Sequence, residues 1–198
     1  MALTKAGVAL DACQEIAQNA LTEGGTGDVS GAYEATLLLQ LALTTETAHT
    51  GTKVVVQVSG ETSGDEDWVK FTEFVALVGT AAKENITNAP AAIGTTVFTV
   101  ASTTGFITTG LRFIEDVTIF ANSEWLYEKT YTTDTSVTML DGSTRAHAVS
   151  SILYTGAESR TILIPASAQR VRVLYDNTYD ADGSTVAVRS RLAEVTAI

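Results

Sequence analysis

From Ala35 onward the sequence alternates with a period of two, and this alternation constrains the fold more than any other feature of the chain. In ATLLLQLALTTET (35–47), Leu37, Leu39, Leu41 and Leu43 share one side, while Leu38, Gln40, Ala42 and Thr44 face the other way. KVVVQVS (53–59) repeats the pattern with Val54, Val56 and Val58 inward, and WVKFTEFVALV (68–78) resumes it. Such alternation belongs to half-buried strands. Composition agrees, since 32 of the 198 residues are Thr and 19 are Val, whereas only 2 are Pro. β-Branched side chains are stiff at χ1 and fit a pleated surface. His49-Thr50-Gly51 reads as a turn and Ser63 to Asp67 as an acidic loop, so the three long strands predict an antiparallel meander.

Other segments read differently. In residues 1–33, Leu3, Gly7, Leu10, Cys13 or Ala17, and Leu21 recur at helical spacing, with Gly24-Gly25 as a stop. That face is mostly Ala, so an arm lying along a neighbouring subunit competes with a helix. Gly24, Gly25, Gly27 and Gly31 read as a flexible joint. Residues 79–94, with Pro90, read as a linker. Short strand patterns follow at Thr96–Ala101, Arg112–Phe120, Ser123–Tyr131, Ser136–Leu140 and Ala148–Tyr154, the spacing of a small barrel or curled sheet. Long strands return at Arg160–Ile164, Arg170–Asp176 and Thr185–Val195.

The resulting expectation is an all-β chain: an antiparallel β-sandwich of jelly-roll or Ig-like type, built from 34–90 plus 156–198. An N-terminal arm or helix (1–33) precedes it, and a small β-barrel-like module (91–155) is inserted into it. About six sandwich strands leave the sheets short, so closure calls for the arm or for a partner's strand.

Charge and cysteine usage exclude several functions. Twelve Lys+Arg against 23 Asp+Glu give a net charge of -11, which opposes nucleic acid or an anionic membrane as the main partner. One cysteine, Cys13, allows no intrachain disulfide, and with two histidines it makes a structural zinc site an unfavoured reading. No apolar run approaches the ~20 residues that span a bilayer. Lys5 before a mixed Ala and polar stretch gives no secretory signal pattern. The expectation is therefore no cofactor, no metal, no nucleic acid and no membrane.

Candidate sites are few. Alternation in a terminal hairpin places Val171, Val173, Val186, Val188 and Leu192 on one face and Arg170, Arg172, Arg189 and Arg191 on the other. Arginine suits bidentate pairing with carboxylates, so this face reads as a dock for an acidic partner or as a solvated face paired to local Asp and Glu. The Gly64-Asp65-Glu66-Asp67 loop and the Asp180-Ala181-Asp182-Gly183 fragment offer clustered oxygens to calcium. The latter lacks the remaining EF-hand ligands, and Asp and Gly at a hairpin tip serve turn geometry. Trp125, Tyr127 and Tyr131 share parity and could form an exposed aromatic row that stacks on sugars; Trp68 and Trp125 also suit a core. There is no Gly-x-Ser-x-Gly elbow, phosphate-cradling loop or His-Glu-x-x-His, and His49 and His147 fall in loops, so no enzyme is expected.

TTVFTVASTTGF (95–106), FIED (113–116), SEW (123–125) and VTMLDGSTRAHA (137–148) resemble a small β module of tailed-bacteriophage virion proteins. GDEDWVKFTEF (64–74) and RVRVLYDNTYDADGSTVAVRSRL (170–192) are similar to phage structural proteins encoded near the major capsid protein, and the resemblance as a whole is to virion proteins of the capsid decoration or cement type. The sequence departs from the module's pattern where Ile107-Thr108-Thr109 precede Gly110. The resemblance implies a β-rich, enzymatically inert virion component, made in the bacterial host cytoplasm and carried on the capsid exterior. It would act as a homotrimer against the major capsid protein. It also allows a tail, neck or head-fibre component whose inserted module binds host glycans.

Overall fold

Alternating apolar residues must be covered on their apolar side, and two such sheets cover each other. The computed structural model describes residues 3–64, 67–88, 90–106, 109–178 and 183–197. Its strands are β1 (Leu3–Ile16), β2 (Leu21–Asp28), β3 (Glu34–Leu43), β4 (Thr52–Ser59), β5 (Val69–Ala76), β6 (Lys83–Asn85) and β7 (Val97–Thr99). They continue with β8 (Leu111–Glu115), β9 (Glu124–Thr132), β10 (Ser136–Met139), β11 (Ile152–Tyr154), β12 (Ala157–Ile164), β13 (Arg170–Asp176) and β14 (Val186–Ala197). The one helical element among the described residues is a 3-10 turn, Phe120–Asn122.

The chain is all-β and antiparallel, arranged as three sheets. The first has the order β1-β14-β3-β12, the second β2-β13-β4-β5 and the third β6-β11-β8-β9-β10-β7. The first two form the sandwich. Leu37, Leu39 and Leu41 of β3 meet Val54 and Val56 of β4, Val171 and Val173 of β13, and Val186 and Val188 of β14 in one buried cluster. Consecutive long strands therefore change sheet. β3 and β4 are not neighbours in a meander, because each needs its apolar side turned to the other across the core; only β4 and β5 pair directly.

Residues 3–28 are neither helix nor arm. They supply β1 and β2, which pair with β14 and β13 and bring the sandwich to eight strands. Two register shifts in β1, between Ala9 and Asp11 and between Asp11 and Gln14, break its alternation and hide the strand period. The glycines read as a joint lie within β2. A Cβ on Gly25 would sit 2.1 Å from the Leu10 carbonyl oxygen, and one on Gly24 2.6 Å from Asp11 Oδ2. They are small because β2 passes close to the irregular part of β1.

All six strands of the third sheet lie between β5 and β12 in sequence. The first of them, β6, falls inside the segment read as a linker, where three residues are too few to show a period. The sheet curls: an isolated bridge between Ile86 and Val100 joins its two edges beyond β6 and β7. Phe98, Phe106, Ile114, Val137, Met139 and Leu153 fill the concave side.

The third sheet is also docked on the sandwich. Cys13, Ala42 and Ala187 on the outside of the first sheet pack with Leu111, Phe113, Trp125 and Tyr154. Small residues on one side leave room for rings on the other, and Phe113 and Trp125 meet at a 44° tilt with centroids 4.6 Å apart. Trp125 Nε1 donates to the Leu41 carbonyl at 3.0 Å, so the seam satisfies its buried polar atom as well.

Candidate functional site

The four arginines expected on one face are divided between two. β13 and β14 belong to different sheets, and their valines face each other through the core, so their outward residues point in opposite directions. On the second sheet, Arg170 and Arg172 lie over the Trp68 ring at 4.8 and 4.3 Å. Arg170 donates to the Glu61 and Gly64 carbonyls at 2.8 and 2.5 Å. Arg172 donates to Gln57 at 2.8 Å and to Glu23 at 2.7 Å. Both guanidinium groups fasten their own loop and sheet. On the first sheet, Arg189 is buried at the seam over the Trp125 ring at 4.9 Å, and its Nη2 donates to the Ser123 carbonyl at 2.5 Å. Arg191 is exposed.

The aromatic row does not form either. Trp125 is 7% exposed within the seam, whereas Tyr127 is 55% exposed, its hydroxyl 3.4 Å from Ser159 Oγ. Tyr131 packs against the concave side with Leu126 and Val137. A register shift between β9 and β10, where Thr138 faces Thr130 but Met139 faces Glu128, changes the parity between Tyr127 and Tyr131. Asp65, Glu66, Asp180 and Asp182 of the calcium candidates lie outside the described residues. Among the described residues, no group of three or more His, Cys, Asp or Glu side chains could hold a metal ion. Among the described residues, no helix is long and apolar enough to cross a membrane.

Buried polar groups are instead tied into structural networks. Asp11 accepts from Tyr175 Oη at 3.1 Å, from Gly25 N at 2.6 Å and from Ser190 Oγ, joining β1, β2, β13 and β14. Arg112 and Glu128 form an ion pair at 2.5 Å with side chains 4% and 0% exposed. Glu124 lies 2.7 Å from His147 Nε2 and accepts from Thr144 N and Oγ1 at 2.9 and 2.7 Å. His49 Nε2 contacts Thr52 Oγ1 at 3.0 Å, and that hydroxyl donates to Asn177. Burial pushes the Cys13 thiol up to about 11, so the thiolate that would act as nucleophile is disfavoured.

The sequence anticipates an incomplete sheet edge but not its place, which is the open side of the sandwich. β12 ends the first sheet and β5 ends the second. Between them lies an open groove of about 700 Å³ lined by Phe71, Phe74, Arg160, Ile162 and Leu163. Arg160 covers the Phe74 ring at 4.1 Å. Val69, Phe71, Val75 and Leu163 are 64%, 42%, 52% and 62% exposed. A signal was present in the sequence: WVKFTEFVALV places Val69, Phe71 and Val75 at one parity and Trp68, Phe74 and Ala76 at the other.

No family model and no curated protein matches this chain. Among solved structures, it is similar to a structure of infectious bursal disease virus, Gx strain, at 11% identity and a TM-score of 0.27. That match covers 98% of this chain and 41% of the other, so the chain spans about two-fifths of the length of that viral chain. VP17, a capsid protein of bacteriophage P23-77, is matched at 9% identity and a TM-score of 0.20, over 98% of this chain and 97% of that one. The complex of the two major capsid proteins of that phage, VP16 and VP17, is matched at 7% identity and a TM-score of 0.21.

Proposed function

We propose that this chain is a structural component of a tailed-bacteriophage virion, and within that class a capsid decoration or cement protein. It works on the capsid exterior by lying against the major capsid protein and against copies of itself, as a homotrimer. No catalysis and no cofactor form part of this reading. The observation that carries it is the open side of the sandwich. Two sheet edges end there together, with apolar side chains on both, and an apolar edge is a template for another chain unless something covers it. A stiff body suits the role: the docked third sheet fixes the outer face of the first, and contacts repeated over a lattice gain from high effective concentration. The resemblance of residues 95–148 to phage virion modules points the same way. A tail or neck component that binds glycans finds less support, because Trp125 is withdrawn into the seam.

The copy number of the chain in purified virions tests the placement. A number matching the capsomers supports decoration, whereas one matching a neck or tail ring moves the protein there. Phe71→Lys with Leu163→Lys should abolish occupancy on heads while leaving the circular dichroism of the chain unchanged. Undiminished occupancy by that variant would remove the open side from the account.

A further inference from the structure

A second surface, on the β1 side of the first sheet and away from β12, has a different chemistry. Arg189 and Arg191 project from the outer face of β14, and Arg145 reaches the same place from the loop between β10 and β11. Both Arg145 and Arg189 are fixed on neighbouring residues of the Phe120–Ser123 turn. Arg145 Nη1 donates to Asn122 Oδ1 at 3.3 Å, and Arg189 Nη2 donates to the Ser123 carbonyl. Arg191 faces Ala9 of β1 and Leu38 of β3, neither of which offers a carboxylate.

The contrast with other arginines of the chain is sharp. Of the four other arginines, Arg112, Arg160 and Arg172 each reach a carboxylate, at 2.5, 2.8 and 2.7 Å, and Arg170 donates to the carbonyls of its neighbouring loop. The hydrogen bonds of Arg145 and Arg189 go to neutral oxygens instead. Burial lowers the proton affinity of Arg189, and the charges of Arg191 and Arg145 lower it further; the nearby Cys13 and Glu124 work the other way. Glu124 is itself committed to His147 and Thr144. Three cations are thus held together at a cost, in a protein of net charge -11. A carboxylate arriving from outside would relieve that repulsion and meet fork-shaped donors that suit it.

We infer that exposed Arg191 and half-buried Arg145, with the charge of buried Arg189 behind them, form a docking patch for carboxylate side chains of a protein partner. The patch is small and the chain as a whole carries a net charge of -11, which disfavours the extended phosphate backbone of a nucleic acid. The inference does not depend on the open-edge contact and fails or stands separately from it.

Calorimetric titration of the intact chain with a hexaglutamate peptide at low salt tests the patch. Binding should weaken as salt is raised, and Arg145→Gln with Arg191→Gln should reduce affinity by about tenfold or more. Arg191→Gln alone changes one exposed residue, keeps the fold safe and should give part of that loss. Arg170→Gln with Arg172→Gln, on the other sheet, should bind as the native chain does. The inference is overturned if the native chain does not bind, or if the Arg145 and Arg191 variants bind undiminished. It is equally overturned if inorganic phosphate or a thymidine oligonucleotide binds as tightly as the peptide.

Discussion

The sandwich and the third sheet solve the same problem, keeping strands together, with different materials. In the sandwich, long strands present aliphatic residues to one another, and β3, β4, β13 and β14 are held mainly by what they bury. In the third sheet, β6, β7 and β11 have three residues each, too few for a ladder to hold alone. Side chains do much of the work there. Asp116 accepts from Thr118 N, Ile119 N and Ala148 N at 2.9, 2.8 and 3.1 Å, and Asn88 bridges to Val97 and Thr99. Long strands can rely on area, whereas short ones need specific polar ties and a platform to lie on.

The largest test of that contrast removes the platform. Phe113 is fully buried at the seam, against Trp125, Phe120 and Tyr154. Phe113→Ala should cost about 4 kcal/mol by opening a cavity where the sandwich side offers only small residues to fill it. The third sheet should then melt ahead of the sandwich, giving two calorimetric transitions. A single shifted transition would mean that the short strands stand without their platform.

A smaller effect is expected at the buried ion pair. Glu128→Gln removes the charge facing Arg112 and should cost about 3 kcal/mol in denaturant unfolding, because a buried cation then loses its carboxylate. Replacing both partners with apolar residues of similar volume should cost much less. If the double change costs as much as the single one, the pair itself holds β8 to β9; if it costs almost nothing, the loss in Glu128→Gln is the cost of an unpaired buried cation.

Legibility followed the same division. Period two reveals β3, β4, β13 and β14, because their inward valines and leucines alternate without interruption. It fails at β1, whose bulges let Asp11 turn inward, and at β9, whose register shift separates Tyr127 from Tyr131. It is also silent on which sheet a strand joins. β13 and β14 read as a hairpin because sequence adjacency and shared alternation fit a hairpin and a crossing between sheets equally well. The arginine face was lost through that ambiguity, and Arg145 was missed because a loop residue has no period. The open side depends on which strands end their sheets, which is a property of topology and not of any one segment.

The smallest effect concerns acid. Burial alone would raise the Glu124 carboxyl, but the hydrogen bonds from His147 and Thr144 outweigh it and leave the group below its ordinary value of 4.5. A carboxyl lowered by folding contributes stability above its unfolded value and loses it as the pH falls through its folded value. Stability should therefore decline as the pH drops below about 4.5, measured by urea unfolding at a series of pH values. In Glu124→Gln that part of the decline should vanish, leaving a shallower slope and a less stable protein at neutral pH. The loss should register first in probes of the loop from Asp141 to Ala148, which Glu124 and Asp116 hold against β8 and β9, and last in the sandwich. Simultaneous loss in both regions would show that the seam transmits what the polar ties feel, and that the two regions unfold as one.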